Sequence, residues 1–339
     1  MKAVRFHRHG DPGVLVYEDA PDPAPAEGRA IVRVHACSMN HLDLWERRGI
    51  DRVEIPLPHI SGSDIAGVVV DAGGGPVAAG TRVMLQPGLS CGACAACGEG
   101  RDNLCPRYDV IGLMSDGGYA ELVSVPIENV VPIPDSIAFL EAAAFPLTFL
   151  TAWHMLVTLA RVREGDVVLV LAGGSGVGQA AIQIAAYHRA RVFATAAPAK
   201  ADRTRALGAE AVFDHYAVDF SREAKALTGG RGADIVVEHV GEATWDRSLR
   251  SLARGGRLVT CGATTGPRAA VDLRHLFARQ LSLLGSYMGT KSELLAAAPL
   301  FFAGKLRPVI DHVLPLADAG MAHRRLEHRE HFGKIVLTC

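Results

Sequence analysis

The sequence predicts an α/β protein in which a doubly wound parallel sheet follows a smaller, mainly β region. Three observations support this fold class. The apolar run Val167–Leu171 is typical of a strand buried on both faces, and the glycine-rich segment AGGSGVG (172–178) and a helical apolar pattern follow it. Further along the chain, short apolar runs alternate with helical patterns. Before the glycine-rich segment, alternating apolar and polar residues typical of β-strands surround a segment with four closely spaced cysteines.

Length and composition restrict the class of protein. A chain of 339 residues can hold two domains, each with its own core. Its net charge of −1 gives no electrostatic reason to expect nucleic acid or an anionic membrane as a partner. The N-terminal MKAVRFHRHGDPG has no apolar segment of signal-peptide length, and no apolar span is long enough to cross a bilayer. We therefore expect a cytoplasmic protein, in which seven cysteines favour metal binding or chemistry over disulfides.

The first half reads mainly as β-structure. Alternating apolar positions predict antiparallel strands up to about residue 35, and residues 36–49 predict a short helical piece. The run Ile65–Val70 predicts a strand closed by glycines, and residues 117–134 return to strands. Two helical segments joined near Pro146 then lead to the glycine-rich segment.

The second half alternates strands and helices. Strands are predicted at 192–196, 211–215, 234–241, 257–263 and 281–288, with helices at 200–207 and 246–252. Five or six such strands make a doubly wound parallel sheet. The tail, 291–339, is predicted to hold one helix and two short strands, HVLPL and KIVLT, and to fold back onto the first domain.

The four cysteines Cys91, Cys94, Cys97 and Cys105 have spacers of two, two and seven residues. Thiols crowded in this way suit one tetrahedral zinc ion. All four coordination positions of the zinc ion would be filled by protein, which leaves none for water or substrate, so the site would be structural rather than catalytic. Iron–sulfur ferredoxins share the first three positions and the following Pro106, but they use a shorter last spacer.

The glycine-rich segment predicts dinucleotide binding. Its spacing, G-x-G-x-G, matches the usual fingerprint only in part, but residues without side chains still let the backbone approach a pyrophosphate. An NAD enzyme needs a carboxylate about 20 residues beyond the glycines. Here the sequence is TAAPAK (195–200), with no acid, and Lys200 and Arg203 would attract a 2′-phosphate. We therefore expect NADPH, with NADH as the alternative.

The order of these parts resembles the medium-chain dehydrogenase/reductase superfamily, the group of zinc alcohol dehydrogenases and quinone oxidoreductases. The cysteine spacing carries most of the resemblance, and GSDIAGVV, GGSGVG, GGRLVTCG and LLGS support it. It implies a GroES-like catalytic domain at 1–148 and 286–339, with a zinc lobe at about 88–108. It also implies a Rossmann domain at 149–285 and a homo-oligomer, dimer or tetramer, formed near Leu273 to Tyr287.

The sequence departs from this family at the positions of the catalytic zinc ligands. The family's first cysteine is replaced by Asn40 and its histidine by Ser63, with Asp64 in place of the adjacent glutamate. The third ligand falls near Leu147 and Thr148. Neutral oxygens cannot replace a thiolate and an imidazole on zinc. The resemblance therefore implies a scaffold that kept its structural metal and lost its catalytic one.

Without an electrophilic metal, hydride transfer to a quinone or an α,β-unsaturated carbonyl is the easiest reaction, because the substrate delocalises its own charge. The catalytic candidates are Asn40, Ser63, Asp64 and Thr148. The expected cofactor contacts are His41, Thr151, Gly173, Gly174, Ser175, Gly176, Val177, Gly178, Ala196, Lys200, Arg203, Val240, Gly262, Ala263, Gly285 and Ser286.

Two alternatives remain open at this stage. The first is an alcohol dehydrogenase with unusual zinc ligands, such as Asp64 with His59 or His41. The second is a protein that binds NADPH as a sensor on the same scaffold and catalyses nothing.

Overall fold

The computed structural model describes residues 1–339 and divides into two compact units. Unit 1 comprises Met1–Leu147 and Thr290–Cys339, and unit 2 comprises Thr148–Gly289. The predicted boundaries, after residues 148 and 285, lie one and four residues from these. No helix of the structure has both the length and the apolar character needed to cross a lipid bilayer.

The chain passes through its elements in the following order. Up to the glycine-rich segment these are β1 (Lys2–Phe6), β2 (Leu15–Asp19), β3 (Arg29–Ser38), α1 (His41–Arg48), β4 (Asp64–Asp71), β5 (Arg82–Leu85), β6 (Gly88–Leu89), α2 (Ala95–Gly98), β7 (Asp109–Val110), β8 (Leu122–Pro126), β9 (Val130–Pro132), α3 (Phe139–Ala144), α4 (Pro146–Trp153) and β10 (Val167–Val170). Then come α5 (Gly176–Tyr187), β11 (Arg191–Thr195), α6 (Ala201–Ala206), β12 (Ala211–Phe213), α7 (Phe220–Ala226), β13 (Ala233–Glu238), α8 (Trp245–Ser251), β14 (Leu252–Thr260), α9 (Leu273–Ala278) and β15 (Ser282–Gly285). The tail adds α10 (Lys291–Phe302), β16 (Ile310–Pro315), α11 (Ala319–Glu327) and β17 (Lys334–Thr338).

Unit 2 is built on a parallel sheet of six strands in the order β12-β11-β10-β13-β14-β15. The chain moves outward from β10 to β12 and then returns to β13, so the strand order reverses between β10 and β13. Such a reversal opens a crevice at the carboxyl ends of the strands, where ligands of these folds bind. All four residues of β10 are fully buried, which confirms the prediction from their unbroken apolar run.

Unit 1 contains a seven-stranded, mainly antiparallel sheet in the order β16-β17-β3-β4-β5-β9, with β8 also paired to β3. The tail strand β17 pairs with β3, Leu337 opposite Cys37, so the tail returns to the first domain as predicted. Cys37 is completely buried, as a small apolar side chain would be.

Two details of the sequence-based assignment were wrong. Ala36–Ser38, assigned to a helical piece, extend β3, because Cys37 pairs with both Ile65 on β4 and Leu337 on β17. These partners are distant in sequence, and such pairing overrides local propensity. The tail holds two α-helices rather than one, since α11 forms as well as α10.

Candidate active site

The site in unit 1 forms where three strands end or begin together. Ser38, the last residue of β3, pairs with Asp64, the first residue of β4, so Asn40 and Ser63 lie at the same end of the sheet. The tail strand arrives at this end too, because Val336 also pairs with Ser38. The sheet therefore positions the start of β17 beside the predicted catalytic residues.

Lys334 connects these residues through a buried hydrogen-bond network. Its Nζ donates to Asn40 Oδ1 at 2.6 Å and to Asp64 Oδ2 at 2.9 Å. Asn40 Nδ2 donates to the same Asp64 oxygen at 3.0 Å, and the backbone N–H of Leu147 donates to Asp64 Oδ1 at 2.7 Å. Lys334 is 2% exposed and Asp64 is fully buried. An ammonium and a carboxylate are retained here because each one has a charged partner and additional hydrogen bonds.

A second buried carboxyl supports the same end of β3. Asp43 Oδ2 accepts the backbone N–H of Asn40 at 3.0 Å and the hydroxyl of Tyr119 at 2.7 Å. Burial raises the pKa of Asp43 to about 6, while these two hydrogen bonds and the charge of Lys334 act in the opposite direction. The neighbouring Glu46 is also fully buried, and burial together with Asp43 raises its pKa well above the ordinary value.

We expect Asp43→Asn to flatten the pH dependence of folding stability. Because the native carboxyl has the higher pKa, it keeps its proton between about pH 4 and 6, where the unfolded chain has released it. The free energy of unfolding of the wild type should therefore fall as pH rises through this window, relative to the variant, by roughly 3 kcal/mol. Urea unfolding of both proteins from pH 4 to 8 measures the difference. A constant difference across that range would contradict the prediction.

Four hydroxyls among the predicted residues have a buried oxygen without a hydrogen-bond partner. One is Ser63 Oγ in unit 1, on the residue directly before Asp64. The other three lie in unit 2: the Oγ1 atoms of Thr148 and Thr151 on α4, and Ser286 Oγ after β15. An unpaired buried hydroxyl is costly, so each of them is a candidate donor to a bound ligand. His41 is the first residue of α1, and its ring packs edge-on against Trp45 with centroids 5.2 Å apart.

The four cysteines form a cluster suited to one metal ion. All four sulfur atoms lie within 4.8 Å of one another. The Sγ atoms of Cys94 and Cys97 are 3.5 Å apart, and those of Cys91 and Cys97 are 3.9 Å apart. Zn–S bonds of about 2.3 Å in a tetrahedron require sulfur separations of this size. Backbone N–H groups of Cys91 and Arg107 donate to Cys105 Sγ, as expected around a thiolate.

The glycine-rich segment in unit 2 forms the turn between β10 and α5. Ser175 is the N-cap of α5, and its Oγ accepts the N–H of Gly178 at 2.9 Å. A Cβ on Gly178 would lie 2.3 Å from the carbonyl oxygen of Ala172, so only glycine fits there. The first-turn N–H groups of Gly176 and Val177 have no partner within the helix. Small residues followed by free N–H groups fit a dinucleotide pyrophosphate.

The other predicted cofactor residues of unit 2 lie at the carboxyl edge of the sheet or just beyond it. Gly173 and Gly174 belong to the turn after β10, Ala196, Lys200 and Arg203 follow β11, Val240 follows β13, Gly262 and Ala263 follow β14, and Gly285 and Ser286 end and follow β15. Parallel strands bring these positions to one edge. The carbonyl oxygen of Thr195 on β11 accepts the N–H of Gly173 at 2.8 Å, which ties the glycine turn to that strand.

Among the buried charged residues that sequence reasoning did not single out are two at the ends of strands, Lys334 and Glu238. Lys334 opens a short apolar strand, and nothing in the pattern KIVLT distinguishes it from a surface lysine. Glu238, the last residue of β13, accepts the N–H groups of Val240 and Gly241 and the hydroxyls of Thr244 and Ser248. The sequence did contain a signal for Glu238, because a carboxylate stands at the carboxyl end of an otherwise apolar strand.

Comparisons with known proteins agree with this architecture. The family model "Alcohol dehydrogenase GroES-like domain" matches residues 26–135, and "Zinc-binding dehydrogenase" matches residues 176–303. A quinone oxidoreductase of Sus scrofa is 30% identical, with 99% of this chain and 97% of that protein covered. A crotonyl-CoA reductase of Streptomyces collinus is also 30% identical and covers 98% of this chain and 83% of that protein.

Solved structures resemble the chain over its whole length. A structure titled NAD-dependent alcohol dehydrogenase is 46% identical, with a TM-score of 0.97 and full coverage of both chains. A cobalt- and zinc-bound thermostable alcohol dehydrogenase from Pyrobaculum aerophilum is 34% identical, with a TM-score of 0.91, covering 100% of this chain and 99% of that one.

A GroES-like unit and a parallel-sheet unit with a dinucleotide turn define an NAD(P)-dependent oxidoreductase. The chain belongs to the medium-chain dehydrogenase/reductase superfamily, as the resemblance implied.

Proposed function

We propose that this protein reduces quinones or α,β-unsaturated carbonyl compounds with NADPH, holds one structural zinc ion in its four-cysteine cluster, and uses no catalytic zinc. The observation that carries the proposal is the Lys334 ammonium, which binds both Asn40 and Asp64. A buried cation already balances the charge at this position. A divalent metal beside it would meet strong repulsion in a medium of low dielectric constant.

The relatives support the substrate class. The names of the 30%-identical relatives, quinone oxidoreductase and crotonyl-CoA reductase, describe acceptors whose own carbonyl groups draw electrons from the reacting centre. When bound, a dihydronicotinamide supplies the hydride. This chain supplies hydrogen-bond donors for the oxygen that gains negative charge, for which Asn40 Nδ2 and Ser63 Oγ are the candidates in unit 1.

The end of β11 supports NADPH. Thr195 and Ala196 are buried, and the segment up to Lys200 carries no carboxylate that would repel a 2′-phosphate. Lys200 and Arg203 follow, on a short turn and on α6. Michaelis constants for both cofactors test this part, with an expected preference for NADPH of at least about tenfold, or 1.4 kcal/mol.

An alcohol dehydrogenase is the second candidate, because the 46%-identical structure carries that name and names NAD as its cofactor. Asp64, the carboxylate weighed as a zinc ligand for it, is already paired with the Lys334 ammonium. Both of its oxygens accept hydrogen bonds. The arrangement therefore favours the reductase.

One experiment separates the candidates. Purified protein is screened with NADPH and NADH against quinones, enones, aldehydes and simple alcohols, and its metal content is measured. We expect turnover of quinones or enones and one zinc per chain, removed by Cys94→Ser. Two zinc ions per chain with alcohol oxidation would establish the dehydrogenase. Cofactor binding without turnover of any acceptor would instead support a protein that binds NADPH as a sensor and catalyses nothing.

We further propose that the protein associates with a second copy of itself through the β15 edge of unit 2. This edge strand has no neighbour beyond it, and three large apolar side chains near it are more than half exposed: Leu273, Phe277 and Tyr287. The family resemblance implies association at the same edge.

We expect Phe277→Asp to shift the protein toward monomer, because a carboxylate buried at an apolar contact loses its hydration. Sedimentation velocity at micromolar concentration measures the change. Tyr216→Asp is the matched control, since Tyr216 is 75% exposed near the opposite edge strand β12. Equal behaviour of the two variants would contradict the assignment of this edge.

A further inference from the structure

We propose that Lys334 is a positioning residue that fixes the side-chain amide of Asn40 as a hydrogen-bond donor to the substrate oxygen. The inference rests on the proposed function and deepens it, because it names the device that replaces an electrophilic metal. It depends on three side chains of unit 1, all nine-tenths buried or more: Asn40, Asp64 and Lys334.

The orientation of the Asn40 amide follows from the chemistry of its two neighbours. An ammonium only donates, so the Asn40 atom 2.6 Å from Lys334 Nζ must be Oδ1. A carboxylate only accepts, so the atom 3.0 Å from Asp64 Oδ2 must be Nδ2. A flipped amide would place its N–H group against the ammonium and its oxygen against the carboxylate. Lys334 and Asp64 together therefore allow one orientation only.

Asp64 is itself held in place. Its Oδ2 accepts from both Lys334 and Asn40, and its Oδ1 accepts the backbone N–H of Leu147 at 2.7 Å. The backbone N–H of Asn40 is bound to Asp43 Oδ2 as well. Main chain and side chain of Asn40 are thus both fixed, which is the preorganisation that a catalytic donor requires.

The amide nitrogen keeps one further N–H group. Nδ2 carries two hydrogens, and the bond to Asp64 uses one of them. The Lys334 ammonium that donates to Oδ1 polarises the amide and makes the second hydrogen of Nδ2 a stronger donor. As hydride adds to the β-carbon of an enone, the alkene π pair shifts to join the α-carbon to the carbonyl carbon, and the carbonyl π pair moves onto the oxygen. That oxygen accepts a hydrogen bond from the second amide hydrogen, and the enolate then takes a proton from water at its α-carbon, which completes the reduction.

The test is a double-mutant cycle in the full-length protein with NADPH. We expect Lys334→Met to lower kcat/KM for a quinone or enone about 100-fold, the loss typical of one oxyanion donor, with kcat carrying most of it. The KM for NADPH should change less than twofold. In an Asn40→Ala background the same substitution should cost less than threefold, because no amide remains to be oriented. Lys334→Arg keeps a donor toward Oδ1 and should recover at least a tenth of the wild-type activity.

Some results would overturn the inference. An equal loss in both backgrounds would show that Lys334 acts independently of Asn40, and a raised KM for NADPH as the main effect would assign it to the cofactor. Lys334→Met leaves Asp64 without its counter-charge, so the Asp64→Asn/Lys334→Met variant is measured beside it. That variant restores neutrality but not a unique amide orientation, and its activity should stay low.

A binding measurement separates this inference from the proposed function. p-Nitrophenolate presents an oxyanion on a conjugated ring and cannot accept hydride, so its absorbance titration into NADP⁺-loaded protein reports donor strength without turnover. The wild type should bind it at least tenfold more tightly than Lys334→Met. Equal binding, or none by the wild type, would overturn the role of Lys334. Turnover of no acceptor at all would instead refute the proposed function.

Discussion

Gly178→Ala should raise the dissociation constant for NADPH at least about 100-fold, or some 2.7 kcal/mol. The new Cβ would lie 2.3 Å from the carbonyl oxygen of Ala172 and 2.9 Å from Ser175 Oγ. A backbone carbonyl cannot turn away as a flexible side chain can, so the turn must open. The movement would break the Ser175 cap, displace the first-turn N–H groups that the proposed cradle offers to a pyrophosphate, and cost about 1–3 kcal/mol of stability.

Isothermal titration with NADPH and urea unfolding measure the two effects. Gly98→Ala is the matched control, since Gly98 ends α2 in unit 1 and a Cβ there meets open space. It should leave the dissociation constant within twofold of the wild type. Normal NADPH binding by Gly178→Ala would show that this turn does not hold the dinucleotide.

The local sequence pattern was sufficient to predict those features that a single short segment determines by itself. Val167–Val170 are apolar without interruption because β10 is covered on both faces, and the glycines follow at the point where the backbone must turn closely. The cysteine cluster is equally local, because its four sulfur atoms come from one short lobe. The fold class of both units could therefore be predicted from sequence.

Contacts between distant parts of the chain could not be predicted in this way. The resemblance to a family drew attention to Asn40, Ser63 and Asp64, but it did not show what replaces a metal between them. The residue proposed for that role, Lys334, lies 270 residues beyond Asp64. Its proximity depends on the pairing of β17 with β3, and no local propensity encodes such a register. The same pairing turned Ala36–Ser38 from a predicted helix into strand.

Asp64→Ala should lower the free energy of unfolding by about 3–5 kcal/mol. Asp64 is the carboxylate bound to Lys334, and removing it leaves an ammonium that is 2% exposed with the neutral Asn40 oxygen as its remaining hydrogen-bond acceptor. The backbone N–H of Leu147 also loses its acceptor at 2.7 Å. Unpaired buried donors and charges are among the few causes of losses this large. Urea unfolding measures the loss, and hydrogen exchange of β3 and β17 locates it.

The paired variant Asp64→Leu/Lys334→Met shows whether charge imbalance is the cause. Removing both charges and filling the space with apolar side chains relieves the desolvation cost of each ion, and buried pairs replaced in this way often lose little stability. We therefore expect the double variant to be more stable than Asp64→Ala. If it were less stable than that single variant, the destabilisation would come from lost packing around β4 and β17. The ion pair would then be a consequence of the fold rather than the charge balance on which the proposed metal-free site depends.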